Sequence, residues 1–270
     1  MKIPFILLLL ITQAAFSQQG AGVRVSTASK NVHIIDTAFS IPQLGRVRRI
    51  WIYLPEDAAQ KKYPVIYMHD GQNLFDDTSS YAGEWGVDEL MDSVHGQKAI
   101  VVGIDNGREY RLPEYLPYPH EKYGKAEGKE YVQFIVKTLK PWIDRHYRTL
   151  KDRKHTFIAG SSLGGLISVY AMLQYPKVFG GAGIFSSAFW IAPAIMDEIQ
   201  KKGRKIKARI FFYAGKQEDE TMVANTLKAM EIFDRVSKSV FRTVIREEGK
   251  HNEASWRKEL AGFYQFIMEN

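Results

Sequence analysis

Apolar residues along this chain fall into two alternating rhythms, and the alternation predicts an α/β domain. Short apolar runs at Val65 to Met68, Ala99 to Ile104, Phe157 to Ile158, Gly181 to Phe185, Ile210 to Ala214 and Val240 to Ile245 have strand length. Most are apolar throughout, as strands buried on both faces of a parallel sheet must be. Between them come stretches of helical period: Glu84 to Val94, a face at Tyr131, Ile135, Leu139 and Trp142, a helix from Leu166, the stripe Val223, Leu227, Met230 and Phe233, and a closing helix to Met268. Pro141 should kink or restart the second of these. Ahead of the parallel region, Val32 to Phe39 and Val47 to Leu54 alternate in a way that suits an antiparallel pair at a sheet edge. The prediction is one domain over 31–270, with a mostly parallel central sheet and helices on both faces.

The first thirty residues have a different pattern. Lys2 is followed by the apolar run Ile6 to Ile11 and by small residues at Ala14, Ala15 and Ser17. This reads as a signal peptide over 1–17, cleaved near Ser17 and Gln18, with an apolar core too short for a permanent membrane anchor. A loose, polar lead-in over 18–30 should follow, and the protein is expected to be exported, periplasmic or secreted.

Composition narrows the chemistry. In 270 residues with 45% hydrophobic content there is no cysteine, which excludes disulfides, thiolate metal sites and a cysteine nucleophile. No HExxH, P-loop or GxGxxG pattern is present, so neither a metal nor an organic cofactor is expected. The net charge is +7, and the densest basic run is Lys201, Lys202, Arg204, Lys205, Lys207 and Arg209. That run leads into a strand, opposite the edge where α/β sites lie, and no aromatic-interleaved motif accompanies it. It reads as solvated surface or, second, as a weak attraction to an anionic surface, with nucleic acid not expected as a partner.

Candidate chemistry gathers where strands end. In Gly160, Ser161, Ser162, Leu163 and Gly164 a G-x-S-x-G motif stands between a strand and a helix, the context in which the serine becomes a nucleophile on a strained turn. The Leu163 N–H would then open the helix and face a developing oxyanion. After the next strands but one, Glu218 and Asp219 follow Gly215, and His251 follows Gly249. Serine, acid and histidine thus appear in the order of a hydrolase triad; spacing does not separate the adjacent acids, and Glu218 is the first choice. In the loop after Met68, Gly71 offers a second oxyanion N–H. Trp190 and Trp85 are candidate surfaces for stacking on a sugar or aromatic acyl group. His69 and His155 read as packing or hydrogen-bonding residues. Asn106 to Gly128, rich in Tyr, Pro and charge, is either a cleft wall or a packed cover.

The segments YMHDGQNLFD (Tyr67 to Asp76), EWGVDE (Glu84 to Glu89), VVGIDNGREYRLPEYLPY (Val101 to Tyr118), Phe157 to Trp190 and GKHNEASW (Gly249 to Trp256) resemble the α/β-hydrolase esterases that include esterase D, feruloyl and acetylxylan esterases and trilactone siderophore esterases. The resemblance implies an α/β-hydrolase fold and a serine esterase acting on a small-molecule or carbohydrate ester. It implies Ser162 and His251 as catalytic residues and Gly71 and Leu163 as the oxyanion hole. Several relatives have Asp in a GTND-like turn where this chain has Gly215, Lys216, Gln217 and Glu218, so the acid transfers less directly. An acyltransferase or a non-catalytic binding homologue would share the fold.

Overall fold

A computed structural model describes residues 25–269; the predicted signal peptide and 18–24 of the lead-in lie outside the described residues. Eight strands form one sheet: β1 (Val32–Ile41), β2 (Arg46–Tyr53), β3 (Val65–His69), β4 (Ile100–Ile104), β5 (Thr156–Ser161), β6 (Gly181–Phe185), β7 (Arg209–Gly215) and β8 (Val240–Arg246). Their spatial order is β1-β2-β4-β3-β5-β6-β7-β8. Strand β2 runs antiparallel to both β1 and β4, and every pairing from β4 to β8 is parallel. The expected edge hairpin and parallel region are both present.

The helices are α1 (Val87–Ser93), α2 (Arg111–Tyr115), α3 (Gly128–Phe134), α4 (Lys140–His146), α5 (Leu163–Gln174), α6 (Ala194–Lys202), α7 (Met222–Val236) and α8 (Glu253–Met268). They cover both faces because side chains alternate along each strand. Tyr67, Ile158, Ile184 and Phe212 face one core together with Tyr131, Leu166 and Phe233. Ile66, Met68, Phe157, Phe185 and Phe211 face the other, closed by Val87, Trp256 and Phe263. Truncating a fully enclosed ring such as Phe263 to alanine would cost about 3–5 kcal/mol. Helix α5 is buried all round, from Leu163 to Leu173, which is why its sequence lacks a polar face. Among the described residues no helix is long and apolar enough to cross a membrane.

Helix α3 continues into α4 through a π-turn at Ile135–Leu139. Pro141 lies in the first turn of α4, and the widened turn before it accommodates a ring that would otherwise meet the carbonyl four residues back. The expected kink is therefore absorbed by a wider turn and the helix is continuous.

The described part of the lead-in is not loose. Ser26 Oγ donates to Asp76 Oδ2 at 2.7 Å, the Ser29 N–H to Asp88 Oδ2 at 2.7 Å, and Asn31 Nδ2 to Asp92 Oδ1 at 2.7 Å. Hydroxyl and amide donors that looked suited to solvent instead clip this segment over acids of α1 and the β3 loop.

Candidate active site

Strand β5 delivers the serine. Ser162 has φ 57 and ψ −122, a left-handed conformation that few side chains adopt, held because its N–H donates to the Phe185 carbonyl at 2.8 Å while its own carbonyl accepts from Ala188 at 3.1 Å. Strand and helix cross closely at this turn. A Cβ on Gly160 would stand 2.9 Å from the Gly164 backbone and from His69 Cδ2, so the motif glycines serve that crossing. Helix α5 starts at Leu163, three residues earlier than its apolar spacing suggests, and the Leu163 N–H is its first free donor.

Strand β7 delivers the acid. The Glu218 side chain is 0% exposed. Its Oε2 faces His251 Nδ1 at 2.8 Å, and its Oε1 accepts from the Gly215 N–H and the Ser186 hydroxyl, both at 2.7 Å. Ser186 Oγ in turn accepts from the Trp256 indole N–H at 2.8 Å. Asp219 is elsewhere: its Oδ1 accepts from Thr221 at the start of α7. The pair that spacing left open is thus divided by geometry, with Glu218 on the imidazole and Asp219 on a helix terminus.

His251, in the loop after β8, is partly exposed and meets the Trp256 ring edge to face at 5.2 Å. Ser162 and His251 line one cleft of about 660 Å³ without hydrogen-bonding to each other. Catalytic contacts in ligand-free sites are commonly long and close only around substrate.

The loop after β3 forms the next wall. Asp70 takes a left-handed backbone (φ 55), and its carboxylate is held by Arg111, Nε to Oδ1 at 2.7 Å and Nη2 to Oδ2 at 2.9 Å, and by Asn106 Nδ2 at 2.8 Å. Burial opposes its charge, yet these partners outweigh burial and hold Asp70 below the usual carboxylate range. Gly71 then opens a 3₁₀ turn, in which Asn73 and Leu74 donate to Asp70 and Gly71 and the N–H groups of Gly71 and Gln72 have no partner within the turn. The need for glycine here is set by the neighbouring strand. Its missing Cβ faces not a substrate but the β4 backbone, where it would meet Gly103 C at 2.7 Å.

Trp85 needs correction as a substrate platform. It is 2% exposed and stacked on Trp256 at 5.6 Å, with Phe185 edge-on at 4.9 Å, so both ring faces are spent inside the core. Trp190 is 50% exposed beside Tyr123, outside the walls of the Ser162 cleft. The long segment after β4 divides: Glu114 and Tyr115 are fully buried, whereas Asn106, Arg108 and Arg111 line the cleft. His69 is buried with Nδ1 2.9 Å from the Tyr131 hydroxyl, and burial pushes its pKa down to about 4.

Sequence reasoning missed four residues of the site. Ser186, in the loop after β6, and Trp256, in the first turn of α8, anchor the acid from positions distant in sequence. Tyr81, 95% exposed on the rim, had no flanking pattern to mark it. Glu253, at the first turn of α8, lines the cleft and accepts from Asn73 Nδ2 at 3.0 Å; burial and the nearby Asp70 charge raise its pKa. The only available signal was its position two residues after His251.

Comparison with known proteins identifies the family. Residues 41–267 match the "Putative esterase" family. The chain is 28% identical over 183 residues to the uncharacterized protein YbbA of Bacillus subtilis, covering 63% of this chain and 69% of that one. It is 22% identical over 251 residues to an endo-1,4-beta-xylanase/feruloyl esterase of Xylanibacter ruminicola, covering 88% of this chain but only 31% of that protein. With the iron(III) enterobactin esterase of Escherichia coli K12 it shares 27% identity over 229 residues, 81% of this chain and 53% of the relative. Among solved structures, the BES protein of Bacillus cereus superposes with a TM-score of 0.72 at 20% identity, covering 92% of this chain and 98% of that one. With its parallel sheet, its serine at a strained strand-to-helix turn and a family match spanning most of its length, the chain belongs to this esterase family and has the α/β-hydrolase fold.

Proposed function

We propose that the protein is an exported serine esterase in which Ser162, His251 and Glu218 form the triad. The observation that supports this most is the buried Glu218 carboxylate on His251 Nδ1 in the loop beside Ser162. With Nδ1–H donated to Glu218, Nε2 has the lone pair to take the Ser162 proton as Oγ attacks an ester carbonyl. The same imidazole then protonates the departing alcohol, and water releases the acyl group by the reverse sequence. The Leu163 N–H and an N–H of the turn at Gly71 and Gln72 would hold the oxyanion, each donor worth about a hundredfold or more in rate.

Gln72, Asn73, Ser79, Ser80 and Asn106 line the cleft with hydrogen-bonding groups, and the exposed Tyr81 lies on its rim. This lining suits a small or carbohydrate-linked ester, in which many hydroxyls need partners and a sugar face can stack. A trilactone siderophore ester is the second reading, favoured by Arg108, which lines the same cleft with no ion-pair partner among the described residues. Trp190 belongs to the proposal only as a distal contact for a substrate long enough to reach Tyr123. Export rests on residues 1–17 and is tested by sequencing the N-terminus of the processed protein.

The deciding experiment measures kcat/KM of wild type and Ser162→Ala on p-nitrophenyl acetate, then on acetylated and feruloylated sugars, triscatecholate lactones and simple acyl esters. Hydrolysis lost in Ser162→Ala, with preference for the sugar esters, is the expected outcome. Equal hydrolysis by both proteins would refute the triad, and preference for the lactones would select the second reading.

A further inference from the structure

Charge is segregated across the sheet. Because β3 to β8 are parallel, their amino-terminal ends share one edge of the molecule and their carboxyl-terminal ends, with the cleft, share the other. From β4 onward, every loop that leads into a parallel strand contains lysine or arginine: Lys98, then Lys151, Arg153 and Lys154, then Lys177, then Arg204, Lys205 and Lys207, then Lys238. Asp152 is the only acid in those loops, and it is bonded to His155; the loop into β3, at the same edge, is balanced, with Glu56 and Asp57 paired to Lys30 and Lys61. At the opposite edge, the loops after β3, β7 and β8 hold more acids than bases.

Seven of the cations, Lys151, Lys154, Lys177, Arg204, Lys205, Lys207 and Lys238, are exposed and form no ion pair with a described carboxylate. Lys154, Lys207 and Lys238 surround a cavity of about 470 Å³ whose remaining wall includes Phe157, Val240 and Met268, and its one acid, Glu269, is paired with Arg209 and Arg242. Val240 is 52% exposed there. Cations ringing an apolar recess match an amphipathic anion, with its phosphate at the rim and the upper part of its chain within. Nucleic acid fits less well, because stacking needs exposed rings. The exposed aromatics Tyr81, Tyr110 and Trp190 all lie on loops of the opposite edge.

We propose that the amino-terminal edge of the sheet is a docking surface for an anionic phospholipid bilayer, which leaves the Ser162 cleft facing away from the membrane. Attraction of this kind is additive over the basic side chains near the surface and is screened by salt. It requires no inserted helix.

The test uses the chain from Gln18 onward, which contains the whole described fold, sedimented with phosphatidylcholine vesicles with and without phosphatidylglycerol. Binding should need the anionic lipid and disappear at high salt. The triple variant Lys154→Glu/Lys207→Glu/Lys238→Glu should lose at least about a hundredfold in partitioning, since each basic residue contributes roughly fivefold and each new carboxylate adds repulsion. A charge-matched triple variant at the other edge, Lys122→Glu/Lys125→Glu/Lys129→Glu, should bind as wild type. Bound vesicles should also protect Lys154, Lys207 and Lys238 of the unaltered protein from acetylation, a readout independent of how the variants fold. No dependence on anionic lipid, equal losses in both triple variants, or tighter binding to duplex DNA or an anionic polysaccharide than to vesicles would overturn the proposal. None of these readouts requires esterase activity, so a failure of the triad and a failure of the docking surface are separable.

Discussion

Glu218→Gln is the most informative single substitution, because the structure dictates how the new amide must sit. Glu218 Oε1 accepts from two donors, the Gly215 N–H and the Ser186 hydroxyl, while Oε2 accepts from one, His251 Nδ1. A glutamine in this enclosed position places its oxygen on the two donors and turns its NH2 toward His251. Nδ1 must then accept, the proton moves to Nε2, and the imidazole no longer has a lone pair for Ser162. Loss of the acid with the wrong tautomer costs about 10⁴ in kcat, or roughly 5 kcal/mol at the transition state. Steady-state hydrolysis of p-nitrophenyl acetate reads this directly, with thermal melting confirming that the fold is retained. Asp219→Asn is the control and should stay within about twofold, as expected of an exposed residue away from the imidazole. Retention of more than a tenth of the activity in Glu218→Gln, or an equal loss in Asp219→Asn, would refute the assignment.

Other substitutions test the frame around the triad. Ser186→Ala removes the acceptor of the buried Trp256 N–H, and denaturant unfolding should show a loss of about 1–3 kcal/mol. Gly71→Ala drives a methyl group to within 2.7 Å of the β4 backbone and should cost at least about 1–3 kcal/mol, seen as a lowered Tm. Burial pushes the Asp88 carboxyl from its ordinary 3.8 up to about 7, aided by the charge of Glu89, and its Oδ1 has no hydrogen-bond partner. The folded state therefore binds this proton more tightly than the unfolded state. Stability should fall as pH rises from about 4 to about 7, and melting of Asp88→Asn should lack that component of the slope. Trp190→Ala should leave kcat/KM on short esters unchanged and lower it only on substrates reaching Tyr123.

The order serine, acid, histidine was legible because each follows an apolar strand and stands in a polar loop at its carboxyl end. That is a local signal, and in the structure Ser162 and the loops of Glu218 and His251 share one edge of the sheet. Partners distant in sequence were not legible. Trp85 has an amphipathic ring, and nothing near it announces that Trp256 will cover one face and Phe185 another. Ser186 took its place beneath Glu218 through a left-handed backbone that its sequence does not require. Glu218 and Asp219 are neighbours, so only the path of the chain from β7 into α7 distinguishes them. Gly71 was singled out for its N–H as an oxyanion donor, whereas the demand for glycine comes from β4, a strand formed some thirty residues later.

The central claim is that Ser162 is a nucleophile activated by His251, and covalent labelling tests it most directly. After exposure to a fluorophosphonate, intact-mass measurement should show one adduct on wild type, mapped to Ser162, none on Ser162→Ala, and labelling slowed by orders of magnitude in His251→Ala. An adduct on another residue, or labelling that proceeds as fast without His251, would contradict the account.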